Sequence, residues 1–379
     1  MKTHKDILIF ASLLLIFTLG CQKEEIEQPF PHSDFISTGE WQGDYWPTNG
    51  WRTCRPEEVG MDSEKLEELN EEVQTLLKLH IDIQNVLIVK NGYIVAEQYF
   101  SDEYGPDSLH RIHSCTKSIT SALMGIAVEQ GFISDVNIPM TDFFPDYEIE
   151  NLTAEKQQIT LEHLLTMSAG FEWYEMEYPY DDERNTFRSF VNSENRVKFV
   201  LDRPMSAPPG EEYSYNTGIS HVLSAIIERT TGMRTDSLAV ENLFNPLGIK
   251  KFYWPIDAHG VAYGGNGMRL TSRDMAKFGY LYLKNGLWEG NQVVPKNWIE
   301  ESQKKHIPRK YILDYYYGYQ WWVSSQNSYS AVGYAGQWIT IFPEHDLVIV
   351  FSNQFDNNNS FQWSTPERLV NTYILPAVK

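Results

Sequence analysis

Strand-type runs stand at both ends of this chain, with helical periodicity between them. Val86-Leu87-Ile88-Val89 and Tyr93-Ile94-Val95-Ala96 flank Asn91-Gly92. That dipeptide accepts the positive φ angles of a tight reverse turn, so the two runs read as a β-hairpin. Near the far end, Gln337 to Phe342 and Leu347 to Phe351 read as a second strand pair across Pro343-Glu344-His345-Asp346, and Tyr319 to Val323 as a further strand. From Ser114 to Ser302 the apolar residues recur at helical spacing, with helices expected over 118–129, 161–167, 221–229 and 273–284. Two more helices flank the strands. One starts behind Asp62-Ser63 and carries Leu66, Leu69, Val73, Leu76 and Leu77, and the other starts at Thr365-Pro366 and carries Leu369, Val370, Tyr373 and Ile374. The fold class that follows is α+β, an antiparallel sheet from both chain ends, flanked by helices, with a mostly helical region of about 135–310 inserted.

The first 20 residues pair Lys2 and Lys5 with an apolar run from Ile7 to Leu19, too short for a membrane span and laid out like a secretory signal. Gly20-Cys21 at its end resembles a bacterial lipoprotein cleavage site, which would place lipid on Cys21. Residues 21–45 are polar and aperiodic and read as a tether, with order expected near Trp46, so 46–379 form one domain. The net charge of −20 repels nucleic acid and anionic lipid surfaces, so a membrane contact is expected only through lipid on Cys21. Cys54 and Cys115 alone remain after processing and form no disulfide framework.

Ser114-Cys115-Thr116-Lys117 sets a hydroxyl and an amine three residues apart, on one face of a helix turn. A desolvated Lys loses its proton more readily and can then deprotonate the serine. The spacing recurs at Ser302-Gln303-Lys304-Lys305, among the charges of a solvated helix end. The helix behind the first copy is apolar on nearly all sides, through Ile119, Ala122, Leu123, Met124, Ile126 and Ala127. A lysine at the head of a buried helix requires a task or a partner. A structural cap with a snorkelling lysine is the competing account.

The segment from Ser114 to Leu123 resembles the nucleophile helix of the serine β-lactamase and penicillin-binding-protein superfamily, nearest its class C-like branch of esterases, D-amino-acid peptidases and 6-aminohexanoate-dimer hydrolases. Four further segments are similar to that branch, in the expected order: Ile159 to Met167, Pro209 to Asn216, Asn266 to Met275 and Gly333 to Gln337. The resemblance implies a serine hydrolase acting on a small amide or ester. Ser114 would be the acylated nucleophile, Lys117 its base and Tyr215 the proton relay, with the tyrosine's pKa held down by the lysine ammonium. The backbone N–H groups of Ser114 and Gln337 would form the oxyanion hole. Tyr334, Gly336, Thr217, Asn216 and Trp173 are the substrate-binding candidates.

Two departures matter. The family's Tyr-x-Asn triplet reads Tyr215-Asn216-Thr217, which leaves open a second register with Ser214-Tyr215-Asn216 as Ser-x-Asn. Tyr334 stands where β-lactamases carry Lys or His, removing the cation that holds a β-lactam carboxylate and favouring an uncharged or cationic group at that end of the substrate. A β-lactamase or D,D-peptidase of the same fold, and a non-catalytic binding or sensor lipoprotein of the envelope, are the rival readings. Trp173, Tyr174, Tyr178 and Tyr180 interleave with Glu172, Glu175, Glu177, Asp181 and Asp182, as an acidic aromatic mouth or a plain surface loop. His110 and His113 lack a third ligand at metal spacing, so no metal or cofactor is expected; His163 and His221 read as helix residues and Cys115 as a small core residue. The oligomeric state and substrate identity stay open.

Overall fold

The computed structural model describes residues 35–101, 103–309, 315–354 and 364–379. The leader, Cys21 and the polar loop 356–360 lie outside them.

Asn91 (φ 51°) and Gly92 (φ 81°) both take the positive φ the turn demands and join β1 (Ile83–Lys90) to β2 (Tyr93–Tyr99). Six more strands follow in the same sheet: β3 (Ile307–Pro308), β4 (Tyr315–Tyr317), β5 (Trp322–Ser324), β6 (Tyr329–Gly333), β7 (Gln337–Phe342) and β8 (Leu347–Asn353). The spatial order is β2-β1-β8-β7-β6-β5-β4-β3, every pair antiparallel, so the N-terminal hairpin is zipped onto the last strand of the chain with Ile88 opposite Ile349. Alternate side chains divide between two layers. Leu87, Val89, Ile339, Ile341, Val348 and Val350 share one core with the inserted helices, including α2 (Thr116–Glu129), and α5 (Ser272–Leu283) lies directly on β1, β7 and β8. Val86, Ile88, Trp338, Ile349 and Phe351 meet α1 (Ser63–Lys78) and the C-terminal α6 (Ser364–Leu369). Both faces are covered, which is why these strands are apolar throughout instead of alternating. The remaining helices used below are α3 (Leu161–Leu165) and α4 (Thr217–Thr231).

Packing begins by Phe35, earlier than the expected Trp46. The Ser37 N–H donates to Val95 O and the Glu97 N–H to Phe35 O, both at 2.9 Å. Backbone pairing needs no apolar pattern, so the polar sequence concealed a segment that covers the β2 edge. The strand expected over Tyr319 to Val323 is broken. Gly318 to Trp321 form a turn closed by Gly318 N–H to Trp321 O at 2.8 Å, with Gln320 at φ 63°. Gln320 is 1% exposed and satisfies four partners across the layers. Its amide donates to Leu164 O (3.2 Å) and Leu165 O (2.9 Å), its Oε1 accepts from Ser220 (2.6 Å), and its carbonyl accepts from Ser118 (2.8 Å). A polar knot between sheet and helices thus overrides the local β pattern. Cys54 and Cys115 are buried free thiols. Among the described residues no helix is long and apolar enough to cross a membrane.

Gln320→Leu should leave the Ser220 hydroxyl buried without its acceptor and cost about 1–3 kcal/mol, read as a lowered midpoint in urea unfolding at unchanged slope.

Candidate active site

Ser114 sits in a 3-10 turn, His113–Cys115, that runs directly into α2. The turn is fixed against the sheet from below. The Cys115 thiol, as expected a buried core group, shares its one proton between Ala331 O (3.4 Å) and Gln337 O (3.5 Å), on β6 and β7. Strand β6 passes so near that a Cβ on Gly333 would lie 2.5 Å from Ile112 O. His113 takes φ 46°, a conformation that costs a non-glycine residue free energy and that the surrounding packing must enforce. The result brings the Ser114 turn alongside Gln337, the first residue of β7.

Lys117 is 1% exposed, while Ser114 is only partly buried and therefore reachable. The Lys117 ammonium donates to Ser114 Oγ at 3.0 Å, Thr217 Oγ1 at 3.0 Å and Gly265 O at 2.8 Å. Three donors meet three acceptors, which offsets the cost of burying the charge. Gly265 is required for the last of these, because a Cβ there would lie 2.7 Å from Thr217 Cγ2. Burial is the dominant influence on Lys117 and lowers its pKa to about 8, against the opposing pull of Glu175.

Tyr215, and not Ser214, meets the serine. Its hydroxyl shares a hydrogen bond with Ser114, and the Lys117 Nζ lies 4.8 Å from its ring centroid. Ser214 is held through its backbone N–H to Met167 O at 2.8 Å. Asn216 is the N-cap of α4, its Oδ1 accepting the Ile219 N–H at 3.0 Å. The expectation that the lysine ammonium holds down the Tyr215 pKa is not met. Burial first, then Tyr180 and Glu175, push it well up and keep the phenol neutral.

Trp173 is likewise corrected. It is 3% exposed and packs edge-on against Phe190 and Phe199, inside the core. Its indole N–H donates to Glu175 at 2.9 Å. Glu175, which the sequence left in an acidic aromatic mouth or a plain surface loop, is 2% exposed and accepts from the Thr217 N–H (2.8 Å), the Thr217 hydroxyl (2.6 Å) and the Tyr180 hydroxyl (3.3 Å). The Thr217 hydroxyl has one proton to give. It gives it to Glu175 and accepts from Lys117, so a carboxylate stands one bond behind the lysine where an asparagine would have placed a neutral amide. No motif singled out Glu175, because its role depends on a contact 42 residues away. Around it, Glu172 pairs with Arg203 and Asp182 with Arg184, so the loop's acidity is partly compensated.

At the rim, Tyr334 stands edge to face with His113 (5.7 Å) and Tyr180 (5.4 Å). Burial first, then Arg111 and Lys117, lower the His113 pKa to about 4 and keep it neutral. Ala335 (φ 60°) and Gly336 (φ 79°) kink the chain into β7, and the Gly336 carbonyl accepts from Asn353 at 2.5 Å. The second Ser-x-x-Lys copy is inert by position: Ser302 bonds back to Trp298 O at 2.7 Å and Lys305 is exposed. His110 faces Gln84 at 3.3 Å, His163 closes the cap of α3, and His221 forms a buried pair with Asp257 at 2.9 Å. Among the described residues no three His, Cys, Asp or Glu side chains are grouped to hold a metal.

Residues 75–368 match the family model described as Beta-lactamase. The chain belongs to the beta-lactamase family. It is 22% identical over 293 residues to the 6-aminohexanoate-dimer hydrolase of Paenarthrobacter ureafaciens, covering 74% of each chain. Its fold is similar to that of a candidate 6-aminohexanoate-dimer hydrolase from Bacillus anthracis (TM-score 0.68, 22% identity, 91% of this chain and 90% of that one). EstCE1, a hydrolase with promiscuous acyltransferase activity, shares the fold at TM-score 0.66 and 15% identity, over 82% of this chain and 98% of its own. The antiparallel sheet with helices is thus the beta-lactamase and penicillin-binding-protein fold, and the chain is a serine hydrolase of that family.

Because Glu175 favours the ammonium form of Lys117, removing its charge in Glu175→Gln should lower the lysine pKa. The rate of serine acylation, rising with pH toward about 8 in the parent, should rise at lower pH in the variant. Burst kinetics with a nitrophenyl ester across that range would read the shift, and an unmoved limb contradicts the account.

Proposed function

We propose that the protein cleaves a small amide or ester through an acyl-enzyme on Ser114. The observation that supports this most is the buried Lys117 Nζ, 3.0 Å from Ser114 Oγ, with the Tyr215 hydroxyl on the same oxygen. In its neutral form Lys117 takes the Ser114 proton as Oγ bonds to the substrate carbonyl carbon. The backbone N–H groups of Ser114 and Gln337, in this reading, hold the resulting oxyanion. As the bond to the leaving nitrogen or oxygen breaks, that atom takes the Tyr215 proton, and Tyr215 is replenished from the Lys117 ammonium. Water then attacks the ester on Ser114, its proton passing back along the same relay while Ser114 Oγ leaves as the hydroxyl. A phenol held neutral suits this acid step better than an initial base step. Thr217 and Gly265 keep the amine aimed, and Tyr334, Tyr180 and His113 form the aromatic rim around the scissile group.

A β-lactamase or D,D-peptidase role has less support, since Tyr334 supplies no cation at the position the family uses for the substrate carboxylate. Purified protein should label with a fluorophosphonate in the wild type, and Ser114→Ala and Lys117→Ala should abolish labelling, whereas labelling of both variants would refute the proposal. Tyr215→Phe should retain the nucleophile and lower turnover by about 10²–10⁴-fold. Export and lipidation at Cys21 complete the proposal. Cys21→Ala should shift the expressed protein from the membrane fraction to the soluble envelope fraction, and an unchanged distribution would show that no lipid is carried there.

A further inference from the structure

Two buried amides hold the kink before β7 from behind. Ala335 at φ 60° sits in a conformation that costs a non-glycine residue free energy, so its surroundings must enforce it. Asn353, the last residue of β8 and 4% exposed, donates from Nδ2 to the Gly336 carbonyl at 2.5 Å. The Gln337 side chain, 1% exposed, donates from Nε2 to the Asn353 carbonyl and, more loosely, to Ala335 O at 3.5 Å. The anchor itself is firm. Strand β8 lies between β1 and β7, with Asn353 in register with Ile83 of β1.

These amides are costly to bury, because Asn353 Oδ1 and Gln337 Oε1 meet no donor among the described residues. A leucine of similar size would leave no oxygen unmatched at position 353. What Asn353 supplies and leucine does not is the N–H donor on Gly336 O.

That bond has a directional consequence. The Gly336 carbonyl and the Gln337 N–H belong to one peptide unit, which is planar and trans, so the two groups point in opposite directions. Holding the carbonyl toward β8 therefore turns the N–H the other way, to the side where β6 and the Ser114 turn pack. A donor on the carbonyl also polarises the unit and strengthens its N–H.

We infer that Asn353 is a positioning residue for the oxyanion hole, aiming the Gln337 N–H by its grip on the Gly336 carbonyl. The inference rests on the acyl-enzyme reading, in which that N–H meets the oxygen that turns negative as Ser114 attacks. Asn353 acts through the peptide unit and not on the substrate.

The test compares an ester with its thionoester, identical in acyl group and alcohol. Sulfur is larger than oxygen and a weaker hydrogen-bond acceptor, so the pair reads the oxyanion contacts. Wild type should favour the oxygen ester at least about tenfold more than hydroxide in water does. Asn353→Leu should lower kcat/KM for the ester by about ten- to a hundredfold, chiefly in kcat, and lower it much less for the thionoester, so that the ratio shrinks. An amide that only supports the fold would slow both substrates alike. No such preference in wild type, an unchanged ester rate in Asn353→Leu, or equal losses on both substrates overturns the inference. Should Asn353→Leu not fold, Asn353→Ala carries the same expectation and the same contradictions. Fluorophosphonate labelling run in parallel separates the two claims. Labelled Ser114 with a ratio that the variants leave intact overturns the positioning role alone, while turnover without a reactive Ser114 overturns the acyl-enzyme reading beneath it.

Discussion

The site depends on one costly act, the burial of the Lys117 ammonium. A charge at 1% exposure is tolerable only if its three N–H groups are all matched, and here the matches come from three separate stretches: Ser114 before α2, Thr217 at the head of α4 and Gly265 in the loop ahead of α5. Each stretch must therefore arrive in register. Gly333 and Gly265 exist for close approach, Cys115 ties the serine turn to the sheet, and Gln320 locks α2, α3 and α4 to the strands. The fold reads as the means of holding those three oxygens around one nitrogen.

The same burial acts in opposite directions on the two groups beside Ser114. Desolvation pulls a lysine down toward neutrality and pushes a tyrosine further up, so one environment moves Lys117 toward its neutral form and keeps Tyr215 protonated. Glu175 limits how far the lysine falls. Replacing the family's asparagine by Thr217 is what connects that carboxylate to the lysine, since a hydroxyl can accept from one and donate to the other. A departure from the motif thus carries a compensating partner with it.

Much of this was legible in the sequence because it is written locally. The Asn91-Gly92 hairpin, the β7 and β8 runs and the buried α2 are set by turn chemistry and periodicity, and Ser114, Lys117 and Tyr215 stand in short motifs. What stayed hidden depends on distant contacts. Phe35 to Ser37 pair through backbone with β2, a stretch too short to show a strand pattern. Gln320 breaks a run of aromatics that alternation alone extends through it. Trp173 read as a surface aromatic and is core, because neither composition nor spacing tells which way a side chain points. Glu175 belongs to no motif, and acquires its contacts from groups far along the chain.

The central claim is that catalysis passes through a covalent ester on Ser114. Rapid acid quenching of the wild-type protein during turnover of a slow ester, followed by intact-mass and peptide mass analysis, tests it directly. The account predicts an adduct of the acyl group's mass on the peptide carrying Ser114, formed and then lost as substrate is consumed. Product accumulating with no adduct on that peptide at any time would contradict it.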